Sequence, residues 1–190
     1  MPDDKELTEE NNRNDYRNEL KKLLKEALFF KEVTLSSGKK SNYYIDARLV
    51  TLSSKGSLLV AKVLLKFLEN YELNAVGGPT LGADPIIGGV SVLGALEEVP
   101  LNTFIVRKKV KEHGRGRRIE GPSIEGKNVA IIDDVVTSGS SLIDAAQAAK
   151  EAGANVIVTT ALVDREEGAP DLIKDKGFKY LPIFSAKELL

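Results

Sequence analysis

The 190 residues suffice for one domain with a full core, and 42% hydrophobic with 29% charged residues is an ordinary soluble composition, neither disordered nor fibrous. A net charge of −1 supplies no global field toward nucleic acid or an anionic membrane, and no apolar run approaches the roughly 18 to 20 residues that a bilayer span needs. The chain has no cysteine, so disulfide and thiolate chemistry are excluded, and its acidic, polar start is unlike a secretory signal; a cytoplasmic protein is expected.

Residues 1 to about 12 are charged and poor in apolar side chains, which predicts a loosely held tail. From about Asp15 the positions Tyr16, Leu20, Leu23, Leu24, Ala27 and Leu28 follow helical spacing, predicting an amphipathic helix that ends near Phe30. Residues 33–46 read as two short strands around the turn Ser37-Gly38, a hairpin that forms a small hood beside the main sheet. Together, residues 13–50 make an N-terminal helix and hood on a single domain of 1–190. Ser53 suits the N-cap of a helix to about Glu69. A short strand then starts at Ala75 and turns through the small residues 77–82, and a glycine-rich helix follows from Ala83 to about Leu96. Further strands are predicted at 102–106, 128–132, 155–163 and 178–184, with helices near 140–152 and 170–176; Gly153 is placed to stop the first of these.

This alternation implies an α/β fold, an open and mainly parallel sheet flanked by helices. In such sheets ligands bind beyond the carboxyl ends of the strands. Residues 77–82, 107–121, 133–141 and 164–165 are therefore expected to meet.

Of these, Val129-Ala-Ile-Ile-Asp-Asp-Val-Val-Thr-Ser-Gly-Ser-Ser141 is the most informative. Four apolar residues read as a buried strand, with Asp133 and Asp134 where the strand should end. Val135 and Val136 lead into Thr137, Ser138, Gly139, Ser140 and Ser141, a hydroxyl-glycine loop that opens a helix. Such a loop offers backbone N–H groups, hydroxyls and the positive end of a helix dipole to a phosphate, whereas the carboxylates suit sugar hydroxyls or a metal-bound partner. The alternative is that the aspartates only cap a turn and the hydroxyls only satisfy backbone.

A second segment runs from Arg107 to Gly121. Between Arg107 and Arg118 it carries seven Lys or Arg against one Glu, together with the sole histidine, His113. Like charges repel and glycine adds freedom, so an open loop is expected that orders over a polyphosphate. The alternative, a nucleic-acid patch, lacks aromatic residues between the charges for base stacking.

The stretch 129–141 resembles the phosphoribosyl-pyrophosphate signature of type I phosphoribosyltransferases. Arg107-Lys108-x-x-Lys111-x-His113-Gly114 with Ile119-Glu120-Gly121 is similar to the catalytic loop of the orotate phosphoribosyltransferases. So are Leu35-x-Ser37-Gly38-Lys-Lys-Ser41-x-Tyr43-Tyr44 and Asp164-Arg165-x-Glu167-Gly168. The resemblance implies transfer of ribose 5-phosphate from phosphoribosyl pyrophosphate to orotate, with Mg²⁺, in pyrimidine synthesis, by a protein that binds neither nucleic acid nor membrane.

On the same resemblance, Thr137 to Ser141 hold the 5′-phosphate and Asp133 and Asp134 the ribose hydroxyls. Arg107, Lys108, Lys111 and His113 bind pyrophosphate, and Arg165 with Thr137 meets orotate. Mg²⁺ is held mainly by substrate oxygens, with contacts from Asp133 and Asp134 direct or through water. A homodimer is implied, its loop 107–121 shared so that Lys108, Lys111 and His113 reach the partner's site. One departure is visible: some bacterial members carry lysines at the positions of Ser36 and Gly82, and this chain does not. Two other readings remain, a purine phosphoribosyltransferase and a non-catalytic regulator that uses Arg115, Arg117 and Arg118 on nucleic acid.

Overall fold

The computed structural model describes residues 4–34, 40–99, 101–108 and 118–190. In chain order the elements are α1 (Asp4–Glu26), β1 (Leu28–Phe29), β2 (Val33–Thr34), β3 (Lys40–Ser41), β4 (Tyr44–Ile45), α2 (Arg48–Thr51), α3 (Ser54–Leu68), β5 (Ala75–Pro79) and α4 (Asp84–Leu96). Then come β6 (Asn102–Val106), β7 (Ile119–Glu120), β8 (Asn128–Val136), α5 (Ser140–Glu151), β9 (Asn155–Asp164), α6 (Ala169–Asp175), β10 (Phe184–Ser185) and α7 (Ala186–Leu189).

Six strands form one sheet in the order β10-β9-β8-β5-β6-β7. All its neighbours are parallel except β7, which runs back along β6. The sheet is buried on both faces, as a parallel sheet covered by helices must be. Along β8 the side chains alternate: Ala130 and Ile132 join Leu20 and Leu24 of α1, Leu64 of α3 and Val90 of α4, whereas Val129 and Ile131 join Leu142, Ala145 and Ala149 of α5. Alanines along the inner side of α5 bring that helix close to the strands, and so bring its N-terminus close to the end of β8.

Several boundaries differ from the expectations. Where a loose tail is expected, the backbone of α1 begins at Asp4. The helix stops at Glu26 because Leu28 and Phe29 leave it to pair with Ile45 and Tyr44. The hood is thus two small antiparallel pairs, β1 with β4 and β2 with β3. The expected strand 178–184 is reduced to β10 and one bridge between Thr159 and Tyr180, although the N–H groups of Leu181 and Ile183 still donate to the Thr159 and Ala161 carbonyls on either side of Pro182.

Phe104 on β6 is 2% exposed and fills the layer between the sheet and α5. Phe104→Ala is expected to lower unfolding free energy by about 3–5 kcal/mol through lost burial and a residual cavity; the urea midpoint measures it, and a loss below about 1 kcal/mol would show that the layer collapses to fill the space.

Candidate active site

Strand β8 does not end at the aspartates. It continues through Asp133 and Asp134 to Val136, which pairs with Asp164 at the end of β9, while the N–H of Arg165 donates to the Val136 carbonyl at 2.9 Å. The two carboxylates therefore stand on a rigid strand at the carboxyl edge of the sheet. They form the floor of a cavity of about 410 Å³, whose walls come from the turn after β5, from Lys108 after β6, from Thr137 and Ser141, from Arg165, and from Tyr44 to Arg48.

Asp133 is 8% exposed, and its Oδ1 accepts the Asp134 N–H at 2.9 Å; Oδ1 of Asp134 accepts the Val135 N–H at 2.7 Å. Burial, and then the adjacent Asp134, hold the Asp133 carboxyl well above the usual carboxylate range, with Lys108 pulling weakly the other way. Gly82 explains how the turn after β5 comes so near. A Cβ there would lie 2.4 Å from Oδ1 of Asp134 and 2.7 Å from Oδ1 of Asp133, so any larger residue would have to displace the carboxylates. Thr80 holds the turn by donating to Oδ2 of Asp84 at 2.7 Å.

Beside the floor, residues 135–142 enclose a smaller hollow of about 50 Å³ together with Asp133. Gly139 takes φ 84°, and the chain enters α5 with the Ser140 and Ser141 backbones at its N-terminus. The hollow has the size and donors of a phosphate cradle. Val136 contributes backbone there, since its side chain packs in the core with Leu142.

At the other end lies Arg165, its side chain only 2% exposed. Nε donates to Glu167 at 3.0 Å, Nη2 donates to Ser41 Oγ at 2.8 Å and to the Tyr43 carbonyl at 3.4 Å, and the guanidinium stacks 4.3 Å from the Tyr43 ring. The hood is thereby clasped to the sheet. Burial raises the pKa of Tyr43, while Arg165 lowers it.

The basic residues separate. Lys108 faces the floor of its own chain's cavity, so for this residue no reach across to a partner is required. Arg107 does not line that cavity; its Nη1 meets Glu120 at 3.3 Å, and it borders a neighbouring depression together with Lys108, Thr80 and Ile105. Arg118 is held by Asp144 on α5. Lys111 and His113 lie outside the described residues. Arg48, outside every sequence motif of the site, also lines the cavity while held by Asp46 at 3.1 Å and Tyr44 at 3.4 Å. The only signal was its place just after the hairpin.

Because Asp133 binds its proton more tightly in the fold than in the unfolded chain, its stabilising contribution is complete below the ordinary carboxylate pKa and is lost as pH rises through the raised folded value. Asp133→Asn is therefore expected to raise the Tm of the free protein at about pH 8, with the gain shrinking toward about pH 4. Calorimetric scans across that range check it; a gain independent of pH would contradict it.

The sequence pattern of the Phosphoribosyl transferase domain family matches residues 36–184. The orotate phosphoribosyltransferase of Corynebacterium glutamicum is 41% identical over 174 residues, 91% of this chain and 93% of that protein. That of Aquifex aeolicus is 41% identical over 156 residues, 82% and 85% of the two chains. Among solved structures, the orotate phosphoribosyltransferase of Mycobacterium tuberculosis in complex with 5-phospho-alpha-D-ribosyl 1-diphosphate superposes with a TM-score of 0.77 at 31% identity, over 92% of this chain and 98% of that one.

Proposed function

The chain belongs to the orotate phosphoribosyltransferases of the type I phosphoribosyltransferase family, and from that premise we propose how its own residues divide the reaction. The enzyme transfers ribose 5-phosphate from phosphoribosyl pyrophosphate to orotate, giving orotidine 5′-phosphate and pyrophosphate, in pyrimidine (UMP) biosynthesis. One observation supports the division of roles: a single cavity has paired carboxylates on its floor, a phosphate-sized hollow beside one end, and a fixed guanidinium at the other.

Thr137 to Ser141 hold the 5′-phosphate on backbone N–H groups and hydroxyls, and Asp133 and Asp134 accept from the ribose 2′- and 3′-hydroxyls. That leaves C1 of the ribose between Lys108 and Arg165. Arg165, kept in plane by Glu167, Ser41 and Tyr43, presents its remaining N–H groups to the carboxylate of orotate, with Thr137 beside it. As the bond at C1 breaks, positive charge develops on the ribose and negative charge on pyrophosphate. Lys108, with Lys111, His113 and Arg107, stabilises the second of these more in the transition state than in the ground state. No protein nucleophile is needed.

Members of this family typically use Mg²⁺ with phosphoribosyl pyrophosphate. Among the described residues no cluster of three or more His, Cys, Asp or Glu could hold a metal alone. Asp133 and Asp134 each commit Oδ1 to a backbone N–H. Their remaining oxygens suit a hard cation that takes its other ligands from phosphate, ribose and water. When bound, Mg²⁺ supplies positive charge against the departing pyrophosphate.

We also propose a homodimer in which Arg107, Lys111 and His113 serve the partner's site. Gly88, Val92 and Leu96, spaced four apart on α4, leave an exposed apolar stripe, and Leu81 at the cavity rim is 65% exposed. Among the described residues no helix is long and apolar enough to cross a membrane, and a chain without cysteine suits the reducing cytoplasm.

Steady-state assays with orotate, uracil, hypoxanthine and adenine test the activity; turnover of a purine and none of orotate would overturn it. Arg165→Lys is expected to raise KM for orotate by about tenfold or more, since a lysine lacks the planar fork, with little change in KM for phosphoribosyl pyrophosphate. Equal rises for both substrates would remove Arg165 from the base end. Inactive Lys111→Ala mixed with inactive Asp134→Asn is expected to regain activity through heterodimers carrying one intact site, and no recovery in verified heterodimers would place Lys111 in its own chain's site.

A further inference from the structure

Arg118 closes the basic segment but does not border the donor cavity. Its Nε donates to the Arg107 carbonyl at 3.0 Å, and its two terminal nitrogens grip both oxygens of Asp144, Nη1 to Oδ1 at 3.1 Å and Nη2 to Oδ2. The Arg107 N–H in turn donates to the Arg118 carbonyl at 2.8 Å. Residues 107 and 118 thus form a last rung beyond the short pairing of Val106 with Ile119. Asp144 stands three residues past Ser141, which lines the cavity, on the helix whose N-terminus opens the phosphate hollow.

We propose that the Arg118–Asp144 pair is a positioning device: it ties the stem of the basic segment to the phosphate-cradle helix and so sets where Lys108 meets the pyrophosphate end of the donor. The inference rests on the reading of the cavity as a phosphoribosyl-pyrophosphate site.

Three features carry it. Strand β7 has two residues at the edge of the sheet, held by two pairs with β6 and by the packing of Ile119, and short edge elements open readily. A side-chain clasp at its tip supplies the missing constraint. The Asp144 side chain is 54% exposed, and exposed ion pairs add little stability; a two-pronged guanidinium–carboxylate contact mainly fixes geometry. Lys108 follows Arg107 directly, so the rung that Arg118 closes also fixes the backbone from which Lys108 reaches the cavity containing Asp133 and Asp134. This engagement also commits Arg118 within the fold, where a nucleic-acid contact would need it free.

Plain electrostatics and positioning predict opposite signs. Removing a negative charge near the site with Asp144→Asn tightens pyrophosphate binding if charge alone matters, and weakens it if the clasp positions Lys108. Calorimetry with inorganic pyrophosphate is expected to show affinity lower by about tenfold in both Asp144→Asn and Arg118→Lys, with kcat falling in parallel and KM for orotate unchanged. Tm is expected to move by less than about 4 °C. Asp144→Glu, which keeps the carboxylate, is expected to retain most of the affinity. Tighter or unchanged pyrophosphate binding in Asp144→Asn, or wild-type behaviour of Arg118→Lys, overturns the proposal. So does a joint fall in Tm and in orotate affinity, because a merely structural pair would produce that. Wild-type protein that binds pyrophosphate but does not turn over orotate would instead sink the activity reading and leave the calorimetric comparison intact.

Discussion

Everything polar in this site is arranged around an unfavourable juxtaposition, two adjacent carboxylates at the buried end of a strand. Asp133 resists ionisation because it is desolvated and because Asp134 stands next to it. The fold tolerates the pair through backbone donors to both side chains, a strand held straight by β9, and a turn with no side chain at Gly82 to come between them. On the proposed reading, a sugar with two vicinal hydroxyls, carried in with a hard cation, meets both carboxylates, and the floor then selects for a ribosyl donor.

The two ends of the cavity are built on different terms. The end proposed for the phosphate is made from main chain and hydroxyls at the start of α5, where a helix packed through alanines is held against the sheet. The end proposed for the base is made from one side chain, Arg165, buried and engaged by groups from two separate parts of the chain. An arginine this enclosed is a fixed template, because its planar fork leaves few orientations once Glu167, Ser41 and Tyr43 are in contact. Arg118 has the same chemistry in a half-open setting, and there its grip on Asp144 serves orientation of the stem more than stability. Burial, not residue type, separates the two roles.

The local patterns were legible without a structure. The apolar run before Asp133, the helical spacing of α3 and the hydroxyl-glycine loop before α5 each depend on near neighbours, and each lies where periodicity and turn chemistry put it. The order of chemistry along the chain, carboxylates and then a phosphate loop, was enough to indicate a sugar-phosphate ligand. Arg165, singled out on resemblance, does line the cavity with Thr137 and the two aspartates.

Other features depended on long-range pairing, which no local pattern encodes. Only the register of β8 against β9 carries the strand past Asp134 to Val136, and only the pairing of β10 with β9 leaves the last strand two residues long. Arg107 and Lys108 are adjacent and equally basic in sequence and both border the depression beside Glu120, yet only Lys108 also lines the cavity with Asp133 and Asp134. Ser41 reaches Arg165 across 124 positions. The amino-acid sequence determined which chemistry this protein possesses; tertiary packing decided which copies of that chemistry converge, since convergence depends on distances between strands and not on distances along the chain.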